Sequence, residues 1–311
     1  MIYGHQQAQA QLERALGEGR LHQAYLLAGS QGIGKARFAK AWLPRLMGGQ
    51  EAERLLAAGA HPDFMQLEIE ADPKTGKLRR DIGREQVEKL LTFLTKHPVL
   101  AERKLVLIDA ADDLSPNAAN NLLKWLEEPR PKTCLLLIAH RVERLLPTLR
   151  SRCARLNFRP LDAASFARFA ADQGLAQVEA LHRLSGGVPG QALLLSKPEV
   201  THSRQALTAL VENRFAEDPL VLARQAKSLL PTQDIAGLAL CLGMLRRALR
   251  DLAGQGGEAA TAPFAADAYA KTLGQEARAQ RLNLDPAQVL AMVLLDLQAL
   301  AGQGLRHDDT A

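Results

Sequence analysis

A short apolar strand that runs straight into a glycine loop and then into a helix constrains this chain more than any other feature. Residues 24–28 (AYLLA) lead into Gly29-Ser30-Gln31-Gly32-Ile33-Gly34-Lys35-Ala36, and the helical pattern runs on to Leu46. The loop matches G-x-x-x-x-G-K-[ST] at every position but the last. In such a loop, backbone N–H groups at a helix N-terminus cradle phosphates and the lysine reaches the terminal ones. Gly29, Gly32, Gly34 and Lys35 are therefore the candidate nucleotide-binding residues. The last position normally supplies a hydroxyl to Mg²⁺, and Ala36 cannot. A glycine-rich turn with a chance lysine is the plain alternative, but the strand before and the helix after aim a helix N-terminus at an anion.

A second segment bears on the same chemistry. Residues 105–108 (LVLI) form an apolar run that ends in Asp109. This is the Walker B layout, in which Asp109 would hold Mg²⁺ through water. An active ATPase of this kind places Glu directly after that Asp to polarise the attacking water; here the residue is Ala110. Asp112 and Asp113 follow out of register for that role. Taken with Ala36, this makes Asp109 a strand end and turn former in a degenerate nucleotide site, with no metal site expected.

The remaining pattern sets the fold class. Gln6 to Leu16, Arg84 to Thr95 and the stretch after Ser115-Pro116 have helical spacing. Ser115 followed by Pro at the first turn is a helix start. Phe64 to Ile69, Lys104 to Asp109 and Thr133 to Ala139 read as strands. Strands separated by helices imply an α/β fold: a parallel sheet flanked by helices on both faces. After Arg159-Pro160 the pattern is helical only. The expected domains are an α/β P-loop-type domain over 1–160, a helical lid over 161–202 and an all-α collar over 203–311. The Gly- and Ala-rich 253–262 is expected to be a loop and 302–311 a frayed tail.

Composition narrows the setting. Apolar residues make up 47% and aromatics 4%, and the formal net charge is +5. That surplus permits contact with DNA without requiring it. No apolar run reaches transmembrane length, and the N-terminus lacks a signal-peptide layout, so a cytoplasmic protein is expected. The three cysteines, Cys134, Cys153 and Cys241, are too scattered for a metal knuckle or disulfide framework.

Two further motifs, physically an amphipathic helix and a basic turn, carry the most specific signal. They are Asn121-Leu122-Leu123-Lys124-Trp125-Leu126-Glu127-Glu128-Pro129 and Ser151-Arg152-Cys153. With Gly4-His5, Leu21-His22-Gln23-Ala24-Tyr25-Leu26-Leu27, the glycine loop and His61-Pro62-Asp63, they make residues 1–195 resemble the bacterial clamp-loader AAA+ family. The C-terminal helices agree in length and character.

The resemblance implies a definite role. Such proteins use ATP to open a sliding clamp and place it on primer–template DNA, as part of a replicative DNA polymerase (nucleotidyltransferase) holoenzyme. Five subunits form an open ring through their collars. The implied partners are gamma/tau-type ATPase subunits and a delta-type subunit in a hetero-pentamer, with the clamp met indirectly, DNA met within the assembly, and no membrane. ATP lies at subunit junctions, so Arg152, introduced by Ser151, would be an arginine finger acting in trans. A guanidinium suits that role because it is always charged and pairs two-fold with phosphate oxygens. The helix from Asn121 to Pro129 would lie near the DNA-facing or inter-subunit surface. Many relatives carry four zinc-binding cysteines where 48–60 has none, so no zinc is implied. Active relatives place an Arg in the lid helix where this chain has Gly190. ATP and Mg²⁺ are thus not required by this chain, although Lys35 and the glycines would permit residual ATP binding. Three other readings stay open: an active motor-type ATPase subunit, a small-molecule kinase, and a plain DNA-binding module with salt-dependent affinity.

Overall fold

The computed structural model describes residues 1–72, 76, 79–254 and 261–308. The chain divides into two compact units, Met1–Leu193 and Leu194–Ala311.

The first unit is built on a five-stranded sheet: β1 (Ala24–Ala28), β2 (Phe64–Glu68), β3 (Lys104–Asp109), β4 (Thr133–Ala139) and β5 (Ala154–Asn157). The order is β2-β3-β4-β1-β5, with every pairing parallel. Its helices are α1 (Gln6–Gly17), α2 (Lys35–Met47), α3 (Gln50–Ala57), α4 (Arg84–Thr95), α5 (Pro116–Glu127), the one-turn α6 (Pro147–Arg150), α7 (Ala163–Asp172) and α8 (Val178–Ser185); α9 (Pro189–Leu195) runs to the unit boundary. Strands β1, β3 and β4 are almost continuously apolar because both of their faces are covered. One face packs on α2 through Phe38, Trp42 and Leu46, and the other on α4 and α5 through Val87, Leu90, Leu122 and Leu126. Edge strand β2 is only half-buried. The order sets the C-terminal ends of β1, β3 and β4 side by side, where ligands bind in open parallel sheets.

Local signals act as their chemistry dictates. The Ser115 hydroxyl accepts the Ala118 N–H at 3.3 Å and Pro116 opens α5. Asp162 likewise accepts the Ser165 N–H, at 2.7 Å, to start α7. His61-Pro62-Asp63 is a structural fastening. The Asp63 carboxylate has no solvent exposure and accepts the N–H groups of Val99 (2.8 Å), Leu100 (2.7 Å) and Ala101 (2.9 Å), with Lys104 Nζ 3.4 Å away. Burial pushes its carboxyl up, but those N–H groups and the lysine outweigh it and hold the group below its ordinary value.

The second unit is all-helical: α10 (Pro198–Glu212), α11 (Pro219–Leu229), α12 (Ile235–Gly254), α13 (Thr261–Thr272), α14 (Gln275–Leu282) and α15 (Pro286–Asp308). Leu222, Leu238, Leu245, Leu249, Leu290 and Leu294 are fully buried in it. Arg246 fixes the α13–α14 corner by donating to both Glu276 carboxylate oxygens (3.0 and 2.8 Å) and to the Thr272 carbonyl (2.5 Å). Helix α15 continues to Asp308, which corrects the expected frayed tail over 302–308, while 309–311 lie outside the described residues: the periodic Val289, Val293, Leu294 and Leu297 anchor the helix and it runs on past Gly302. The expected loop over 253–262 falls largely on 255–260, outside the described residues, and α12 itself extends to Gly254.

Candidate functional site: a degenerate phosphate loop and a half-buried arginine

The glycine loop leaves the C-terminal end of β1 and feeds α2. Gly34 takes φ +104° immediately before the helix, a left-handed geometry that favours glycine and turns the first α2 N–H groups toward the loop. The lysine is bonded to the loop itself. Lys35 is 3% exposed, and its Nζ donates to the loop carbonyls of Gly29 at 2.5 Å and Ser30 at 2.8 Å. Burial lowers the Lys35 ammonium to about 8, against the pull of Asp112 and Asp109.

The start of α9 closes the loop from above. The Gly190 N–H donates to the Gly32 carbonyl at 2.8 Å. A Cβ on Gly190 would come 2.8 Å from the Gly32 Cα, so this backbone-to-backbone approach requires glycine. Beside the loop, Ile2, Tyr3, Ile33, Phe169 and Pro189 border a cleft of about 40 Å³. That is room for a water or two, against the ~300 Å³ or more of a small-molecule pocket.

Asp109 ends β3 opposite Glu68 on β2 and Ile138 on β4. Burial raises its carboxyl, opposed by His140, Lys35 and Lys40. Ala110 is 2% exposed and belongs to the apolar layer under the loop, against which Ala36 also packs. The two positions that would carry the metal hydroxyl and the water-polarising carboxylate thus present methyl groups to a hydrophobic core. Asp112, outside any water-polarising register, serves the fold instead. Its carboxylate accepts the N–H groups of His140 (2.9 Å) and Arg141 (3.1 Å) and so fixes the end of β4. Sequence reasoning missed His140; its place directly after β4 was the available signal. Burial and Lys35 lower the imidazole, while Asp112 and Asp109 oppose them. Among the described residues no group of three or more His, Cys, Asp or Glu is placed to hold a metal.

Ser151 and Arg152 lie apart from this cluster, just after α6. The Ser151 hydroxyl donates to the Thr148 carbonyl at 3.0 Å and the Cys153 thiol to the Leu149 carbonyl at 3.2 Å, so both flanking residues serve the turn. Burial pushes the Cys153 thiol up to about 12. Arg152 keeps its side chain 34% exposed. The structure therefore brings Gly29, Gly32, Gly34, Lys35 and Asp109 to one end of the sheet and holds Ser151 and Arg152 on a separate turn.

A parallel sheet in this order, with a phosphate loop after β1, a Walker B strand at β3 and helices beyond, defines a protein of the P-loop AAA+ class. Residues 4–162 match the family described as DNA polymerase III, delta subunit, and the chain belongs to it. Its relatives include delta-prime subunits and, at lower identity, tau/gamma subunits. The chain is 38% identical over 216 residues to the DNA polymerase III subunit delta' of Pseudomonas aeruginosa, a match covering 63% of this chain and 64% of the relative. It is 33% identical over 159 residues to the Bacillus subtilis subunit delta', covering 48% and 46%. The chain thus spans between about half and two thirds of the length of these curated relatives. A DNA polymerase III gamma-subunit-related protein from Thermotoga maritima has the same fold, with TM-score 0.54 and 17% identity over 94% of this chain and 99% of that one. No helix among the described residues is long and apolar enough to cross a membrane.

Proposed function

We propose that this chain is a clamp-loader subunit of the delta-prime type that takes part in ATP-dependent loading of a sliding clamp onto primed DNA, donates Arg152 in trans and does not itself hydrolyse ATP. The observation that carries this reading is the contrast between the two halves of the site. The phosphate loop carries Ala36 where the metal hydroxyl would stand and the end of β3 carries Ala110 where the water-polarising carboxylate would stand, both packed on the core, and Lys35 and Gly190 are bonded to the loop's own carbonyls. Arg152 meanwhile remains at the surface with an obligatory positive charge. A chain that has lost its own catalytic groups but displays a guanidinium is suited to completing a neighbour's site. Its partners on this reading are gamma/tau-type ATPase subunits and a delta-type subunit, joined through the helical second unit. The clamp and the primer–template DNA are met within the assembly. Neither Mg²⁺-ATP nor zinc is needed by this chain.

The test is ATP turnover by a reconstituted clamp loader, with wild type compared with Arg152→Ala and the lone chain as control. The expected outcome is an inert lone chain and DNA-stimulated turnover lowered by Arg152→Ala, on the order of 10³-fold at the junction it serves. A lone chain that hydrolyses ATP, with Arg152→Ala silent in the assembly, would instead establish an active motor-type ATPase.

A further inference from the structure

Arg152 has a partner within its own chain. Its Nη2 donates to Glu127 Oε1 at 2.9 Å and its Nη1 donates to the Thr148 carbonyl, also at 2.9 Å. Glu127 is the last residue of α5 and Thr148 lies on α6. The paired side chains are 34% and 53% exposed. We propose that Glu127 is a holding carboxylate for Arg152: it parks the guanidinium on its own subunit, and a neighbour's nucleoside triphosphate must displace it before the arginine can serve in trans. This inference rests on the reading that Arg152 acts in trans.

The physical case is one of competition for a charge that never titrates. A guanidinium stays protonated, so it always has an anion or water as partner. In the isolated chain its anionic partner is a carboxylate held through a single oxygen, beside the neutral Thr148 carbonyl. A triphosphate offers several charges and paired oxygens in the geometry a guanidinium fits two-fold, so it can win the exchange. Exposure makes the exchange practicable, because a solvent-screened pair is weak and reversible where a buried one would be costly to break. The Thr148 carbonyl contact and the Ser151 turn hold the arginine while Nη2 changes partner. Glu127 is thus a positioning residue. It raises the nucleotide concentration at which the junction is completed without touching the reacting phosphate.

Steady-state kinetics of the complete assembly with varied Mg²⁺-ATP test this. Glu127→Gln is expected to lower the KM for ATP by about two- to fivefold, the scale of a part-exposed ion pair, with kcat within about twofold of wild type. Glu127→Asp, which keeps the charge, is expected to stay near the wild-type KM. In an Arg152→Ala background Glu127→Gln is expected to change nothing. An unchanged or raised KM for Glu127→Gln, or the same fall in KM when Arg152 is absent, overturns the holding role while leaving the finger reading intact. If Arg152→Ala alone fails to slow turnover, the finger reading falls and the holding role falls with it.

Discussion

Asp63 shows how a residue of a family motif can serve as a fastening of the fold. Its carboxylate is fully buried, satisfied by three backbone N–H groups and set against Lys104, itself only 3% exposed at the side chain. Breaking a buried pair by neutralising one partner leaves the other charge stranded. Asp63→Asn is therefore expected to cost about 3 kcal/mol, read as a lower denaturation midpoint with an unchanged slope. The acid side follows from the same contacts. The folded-state carboxyl is held below its ordinary value, so its contribution is complete above the unfolded carboxylate range and is lost as pH falls through the folded value. The wild type should lose stability more steeply below about pH 4 than Asp63→Asn does, and chemical denaturation at a series of pH values checks this. Parallel curves for the two proteins would show that Asp63 is not a significant source of the acid sensitivity.

At the scale of elements, α5 connects the sheet to the arginine. Its start is set by Ser115 and Pro116, its buried face by Ala118, Leu122 and Leu126, and its last residue is Glu127. Ser115→Ala removes the acceptor for the Ala118 N–H and is expected to cost about 1 kcal/mol, measured as a fall in unfolding free energy and restored by Ser115→Asp. Failure of Asp to restore it would place the loss outside the cap. Most of these elements are legible in the sequence because strong local chemistry marks them: LVLI before Asp109, TCLLLIA in β4, and the Ser-Pro start of α5. The shortest elements are not. Helix α3 spans only eight residues with one buried side chain, and β5 is four residues long with a single buried leucine, so neither carries a period long enough to read. The residues of the site are legible for the same local reason, since the phosphate loop and Ser151-Arg152-Cys153 are contiguous motifs. Their neighbours are not. Gly190 meets Gly32, and Glu127 meets Arg152, only through the tertiary path of the chain, and no spacing encodes a contact across 158 or 25 positions.

At the scale of the whole molecule, the two compact units differ in kind, with the phosphate loop in the first and an all-helical body forming the second. Whether nucleotide still acts on the first can be decided by linkage. A ligand that binds the folded chain alone raises its stability by RT ln(1 + [L]/Kd), so any Mg²⁺-ATP site with useful affinity must shift the melting midpoint. Binding here would have to draw Lys35 off the Gly29 and Ser30 carbonyls, part the Gly190–Gly32 hydrogen bond and widen a cleft of about 40 Å³, all without a hydroxyl at position 36 to hold the metal. Each of these acts against the same complex, so millimolar Mg²⁺-ATP is expected to add too little stability for a melting curve to register. The expected outcome is superimposable melting curves with and without about 1 mM Mg²⁺-ATP. A rise of several degrees would mean that the loop opens at little cost and that the chain retains a nucleotide of its own. Arg152 would then be donated by a subunit that also senses ATP, and the separation between a self-bonded loop and a solvent-accessible arginine, on which the proposed role depends, would no longer hold.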